Sequence, residues 1–405
     1  MAVPVPKVRL LLLLGAGVAL LAGLNAALLR LGLNAPIDSA SLANQHGLLM
    51  LYGFLGTAIL LERAVALRSG RRGFTWWGYL APAASVIAVV LVLVTSGTGG
   101  LPGGNLLAAE FWIFGYGLLI AIYTVIWGRQ KSFYLLIQIF GALAGLVGIV
   151  LWGAGWPIWD VFPWWAAFLV LTIVGERLEL ARIAFSTGAV EARVFLESVA
   201  YLMFITLSMF NPAVGYPLMG LALGVLMLDM GLHDIARRTI NSPGLAKFAA
   251  ASMLAAYFWA LVAAVIWVVL GPVTTGFGYD AVVHCLTVGF ALSMVLAHAP
   301  IIIPAVVRRE VPYSPVMWAV WGLLQVGLVL RLAFGARAGL NEPGGFLGWQ
   351  FGGALDVFAV LAFVITTLTL VLLSGRRKKN RGVAPGKERA TPVSEVAVSA
   401  VEGNK

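Results

Sequence analysis

The chain has 405 residues, 61% of them hydrophobic and only 11% charged, and its formal net charge is +10. Apolar blocks long enough to cross a bilayer recur from end to end. That excludes a soluble globular protein and implies an all-α polytopic membrane protein in contact with lipid. The basic residues sit between the apolar blocks, so the charge speaks for membrane orientation and against nucleic-acid binding. The single cysteine, Cys285, excludes an intrachain disulfide framework or thiolate cluster.

Taken in order, the pattern predicts twelve transmembrane helices, near 9–29, 44–66, 75–95, 106–128, 132–154, 162–184, 193–211, 214–234, 247–270, 279–304, 314–335 and 351–374. The first follows Lys7 and Arg9 and could pass for a signal peptide, but its apolar run is long for one, so it reads as a retained helix. Gly, Pro, Asn and Ser mark most connections, and none is long enough to hold a folded domain. Residues 1–375 therefore form one transmembrane domain, and the polar, partly basic stretch 376–405 reads as a disordered cytoplasmic tail.

Orientation follows from counting. With a cytoplasmic N-terminus, only Arg30, Arg331 and Arg337 of the 27 lysines and arginines fall outside. Both termini are then cytoplasmic. Five tryptophans (Trp152, Trp156, Trp159, Trp164 and Trp165) crowd the outer hairpin between the fifth and sixth helices, where an interfacial belt is expected.

This threading sorts the four histidines by depth. His46 opens the second helix and His284 enters the tenth, both from the outer face; His233 and His298 lie at the inner ends of the eighth and tenth. His284 and His298 are fourteen residues apart, which puts them on nearly one helix face and roughly 21 Å apart. Ionisable groups at such depths are costly and point to function. Two facing helices that offer one imidazole each suit a haem iron. Gly47, Gly53, Gly56 and Gly289 leave room for a flat macrocycle or for close helix packing, and Arg331 or Arg337 would suit its propionates. The plainer alternative is that each histidine caps a helix or hydrogen-bonds at the interface.

The inner pair, His233 and His298, lies among Glu62, Arg63, Glu176, Arg177, Glu179, Asp229 and Asp234. Such a cluster suits a metal ion, a proton relay, or ion pairs at the headgroup boundary, and adjacent Glu–Arg on two helices favours ion pairs. Pro300 is expected to kink the tenth helix beside His298. Met50 is a candidate soft ligand or core residue, Glu110 lies in the outer half of the fourth helix, and Asp356 is expected to pair with Arg331. There is no phosphate-binding loop, nucleophile elbow or zinc-protease motif.

At His284-Cys285-Leu286-Thr287-Val288-Gly289 the chain resembles the NnrS family of bacterial membrane proteins, and His46 through Gly53-Phe54 resembles that family's early histidine-bearing helix. The layout is also similar to the catalytic subunit of haem–copper oxidases, where histidines on helices two and ten hold a haem near the outer face. The resemblance implies a twelve-helix protein of the bacterial plasma membrane that carries b-type haem and copper. Such a protein would be linked to nitric oxide, nitrosative stress or respiratory redox chemistry, with nitric oxide or dioxygen and a respiratory-chain protein as partners. His46 and His284 would be iron ligands and Arg331 a cofactor contact. The chain departs from the pattern at Leu48, where the family carries a second histidine, and four histidines cannot supply both a haem and an oxidase copper cluster. Two other classes remain open: a transporter with polar residues along a path, and a cofactor-free assembly partner of respiratory complexes. Nothing in the sequence decides whether the protein is an enzyme.

Overall fold

A computed structural model describes residues 7–68, 75–97, 104–180 and 188–380, with side chains to residue 374. Arg71, Arg72, Arg182, most of the connection between the third and fourth helices, and residues 381–405 lie outside the described residues.

Twelve helices among the described residues are long and apolar enough to span a bilayer: Lys7–Arg30, His46–Arg68, Trp76–Gly97, Gly104–Arg129, Phe133–Gly153, Ile158–Leu180, Gly188–Phe210, Pro212–His233, Leu245–Leu270, Gly276–Val307, Val316–Gly339 and Gly345–Ser374. They are called spans one to twelve. The described residues contain no strand. Most expected boundaries hold to within a few residues. Span twelve continues as helix to Asn380, past the expected start of the tail at residue 376.

Burial ranks the spans. Spans six, two and ten are the most enclosed, at 78%, 67% and 61% of their most apolar windows, whereas spans seven and twelve stand at 28% and 17%. Spans two and ten, which carry His46 and His284, therefore lie in the middle of the bundle and spans seven and twelve on its lipid-facing rim. Spans two and ten pack against each other, span one lies against span two, and spans six, nine and eleven lie against span ten.

Spans two and ten share an irregularity that hydrophobic periodicity does not reveal. Leu49–Gly56 and Cys285–Leu292 are π-helical, each eight residues long, and each follows its histidine within three residues. The wider π turn re-aims side chains and is enriched at functional sites. The glycines nearby serve packing. A Cβ on Gly53 would lie 2.8 Å from Ala19 Cβ, and one on Gly289 would lie 2.5 Å from Trp259 Cβ. Gly47, Gly53 and Gly289 thus do not line one open slot: Gly53 and Gly289 are occupied by neighbouring helices, and Gly47 faces the Trp165 ring.

The helix Ser293–Val307 continues through Pro300 and Pro304, and span ten also carries the π segment before it. One further expectation changes. The tryptophan belt is split: Trp156 and Trp159 are exposed, but Trp164 and Trp165 are buried, and Trp165 packs 5.3 Å from Tyr52.

Candidate functional site

His46 and His284 meet. Their ring centroids are 6.5 Å apart and their planes differ by 14°. His46 stands at a discontinuity: Gln45, with φ −91° and ψ 1°, separates the short helix Ala40–Asn44 from span two. His284 closes the α-helical start of span ten, one residue before the π turn.

The hydrogen bonds fix which nitrogen each ring presents. Nδ1 of His46 is 2.9 Å from the carbonyl of Gly23, and Nδ1 of His284 is 2.8 Å from the carbonyl of Asp280. A carbonyl oxygen only accepts, so Nδ1 carries the proton in both rings. The lone pair of each neutral imidazole is therefore on Nε2. The two rings arrive in the same tautomer, each able to ligate a metal or accept a proton through Nε2.

The supports differ. His46 rests on a neutral carbonyl of span one. His284 also has the Asp280 carboxylate 3.2 Å from Nδ1, and that carboxylate is pinned from two other helices. Arg331 of span eleven donates to it through Nε at 2.8 Å and a terminal nitrogen at 2.7 Å, and the Trp349 indole of span twelve donates at 2.8 Å. The guanidinium also lies 5.2 Å over the Trp349 ring. His284, Asp280, Arg331 and Trp349 thus form one chain across spans ten, eleven and twelve. A carboxylate behind an imidazole raises its basicity and holds its orientation, as in the outer shell of metal-bound histidines.

Arg331 spends its planar fork on Asp280. Asp356, the expected partner of Arg331, has no hydrogen-bond partner on either carboxylate oxygen. The physical reason is geometry: a bidentate guanidinium–carboxylate pair is satisfied by one carboxylate. Asp280 was legible as the residue one helical turn before His284, whereas nothing in the sequence marks Trp349 as its donor.

The inner histidines do not share a site of this kind. His298 donates from Nδ1 to the Met294 carbonyl at 2.7 Å, and its Nε2 lies 3.2 Å from a terminal nitrogen of Arg177 as acceptor. Both of its nitrogens are engaged. His233 is partly exposed and binds Asp229 on its own span, through the carbonyl at 2.9 Å and the carboxylate at 2.8 Å.

Ion pairs account for the charges around them. Arg63 bridges Glu62, Glu176 at 3.3 Å and Glu179 at 3.0 Å. Arg177 pairs with Asp234 at 3.0 and 2.7 Å, and Arg193 reaches Asp229 at 2.7 Å. Tyr257 donates to Asp234 at 2.7 Å. The partners of Arg177 and Asp229 are therefore Asp234 and Arg193. Burial alone would push the Asp234 carboxyl up, but the Arg177 guanidinium, aided by the Ala236 amide and Tyr257, holds it below the usual carboxylate range. Among the described residues there is no group of three or more His, Cys, Asp or Glu side chains that could hold a metal ion by themselves.

A family model described as a domain of unknown function, DUF8744, matches residues 9–372, which takes in all twelve spans. No curated protein matches the chain.

Proposed function

The chain belongs to the DUF8744 family, and on that premise we propose that it is a haem-binding protein of the bacterial plasma membrane in which His46 and His284 would hold the iron. One observation carries the reading. Two imidazoles that held one iron would each place a nitrogen ~2 Å from it with the ring centre ~1 Å behind, so their centroids would stand roughly 6 Å apart. The observed pair is separated by 6.5 Å, with its ring planes within 14° of parallel. The resemblance of both histidine segments to the NnrS family supports the same assignment.

A haem bound there would supply a redox-active iron, and a small neutral ligand such as nitric oxide or dioxygen would reach it only if one of the two histidines let go. The chain's own residues do the rest. His284, backed by Asp280, is the more firmly oriented of the pair and would be the anchoring ligand. His46, backed by a carbonyl and set at a helix discontinuity, is the less firmly held. Asp280 holds the proton on Nδ1 of His284, and Arg331 with Trp349 holds Asp280. Arg331 neutralises a buried carboxylate, so its part at this site is to position Asp280 and His284.

The charge asymmetry of the sequence supports a cytoplasmic location for the arginine-rich end, with Arg63, Arg177, Arg193, Arg237 and Arg238. The histidine pair then sits at the opposite, outer end. A role in nitrosative-stress response or respiratory redox chemistry fits a haem in that position.

The test is the visible absorption spectrum of the purified protein from cells supplied with haem. A Soret band with about one haem per chain is expected. A folded but colourless protein would contradict the proposal and return the choice to transport or assembly.

A further inference from the structure

We propose that Asp356 is a proton-binding site built into the outer half of the membrane domain, distinct from the histidine pair. Asp356 belongs to span twelve and is only 5% exposed, yet neither carboxylate oxygen has a hydrogen-bond partner. A buried polar atom is almost always paired, so a carboxyl with both oxygens unpaired requires a reason.

The packing around it excludes a chance rotamer in open space. A Cβ on Gly327 would come within 2.3 Å of Asp356 Oδ1, so the carboxyl lies directly on the glycine backbone of span eleven. Gly352 and Gly353, on the preceding turn of span twelve, press equally closely on Arg331, where an added Cβ would meet its backbone nitrogen at 2.4 Å and its guanidinium at 2.6 Å. Three glycines therefore seat span twelve tightly on span eleven and hold the carboxyl there.

Charge accounting then selects the ligand. The charged groups whose field reaches Asp356 are Arg331 on span eleven and Asp280 on span ten. Arg331 is committed to Asp280 through two hydrogen bonds, and that pair is neutral as a unit. An ionised Asp356 would add an uncompensated negative charge in the hydrocarbon region with no donor to stabilise it. Such a charge is neutralised rather than tolerated. A metal cation does not serve, because hard cations need several oxygens and Arg331 repels a cation here. A proton needs one oxygen, and the neutral acid leaves the whole cluster uncharged.

The site is therefore a proton store next to the chain that orients His284.

Infrared spectroscopy of the purified full-length protein tests the site without any cofactor. At neutral pH the wild-type protein should show a protonated-carboxyl C=O band, shifted by carbon-13 labelling of aspartate. Asp356→Asn should lose that band, and Asp356→Glu should keep a band at a changed frequency. If labelling moves no protonated-carboxyl band, or if the band is unchanged in both variants, Asp356 is ionised or the proton is elsewhere, and the proposal fails. The labelling arm needs no substitution, so a variant that does not fold leaves the test intact. A colourless protein would sink the haem reading and leave this result untouched.

Discussion

Asp280 receives four polar contacts from three side chains: two from Arg331, one from Trp349 and one from His284. Removing one member of a buried ion pair leaves the other unpaired, which costs about 3–5 kcal/mol, whereas replacing both by apolar groups is often close to neutral. Asp280→Ala should therefore destabilise the protein by an amount in that range, and Asp280→Ala combined with Arg331→Met should recover much of it. Thermal unfolding in detergent measures both, and equal loss in the single and double variants would show that the pair is not the source.

At the arginine-rich end the corresponding residue is Asp234, whose carboxyl is held low by Arg177. A depressed folded pKa stabilises the native state at pH values above the unfolded value, about 3.9. That contribution disappears as pH falls from there through the folded pKa. The melting temperature of the wild type should drop more steeply below about pH 4 than that of Asp234→Asn. Parallel curves would remove Asp234 from the account of acid sensitivity.

At the scale of elements, the paired π segments decide how the histidines are presented. Gly289 lies within span ten's π turn, hard against Trp259. Gly289→Ala must displace that indole or the backbone, and overpacking of this kind costs roughly 1–3 kcal/mol. It should lower stability and, because the turn follows His284, also perturb any spectrum owed to the histidine pair. A variant of wild-type stability and spectrum would show that the turn tolerates movement.

The same elements show what was legible in the residues alone. Span number and boundaries follow from hydropathy, which is a property of each block by itself. The meeting of His46 and His284 was readable from depth and from their shared position at span openings. The tautomers, the π turns and the identity of Arg331's partner were not, because each depends on which helix lies beside which. Arg331 had two carboxylates at similar depth, Asp280 and Asp356, and only lateral packing chose between them. The glycines misled for the same reason: small residues in a membrane helix mark close approach, and sequence does not say whether a cofactor or another helix approaches.

For the whole molecule, the charge count gives a topology that one labelling experiment checks. Cys285, the chain's single cysteine, is fully buried, so the background for thiol labelling is low. Asn341→Cys, in the connection between spans eleven and twelve, should react with a membrane-impermeant maleimide applied outside cells. Ser242→Cys, between spans eight and nine, should react only after the membrane is opened. The reverse pattern would invert the bundle and place the histidine pair on the cytoplasmic side.

The haem assignment requires that His46 and His284 share one iron. Absorption and electron paramagnetic resonance spectra of the wild type, His46→Ala and His284→Ala, each purified at matched folded content, test this directly. The wild type should show a low-spin haem, and both variants should lose that signature. His284→Ala should retain the least haem, and His46→Ala should retain a high-spin form held by its better-supported partner. A low-spin signal that survives in both variants would contradict the central claim.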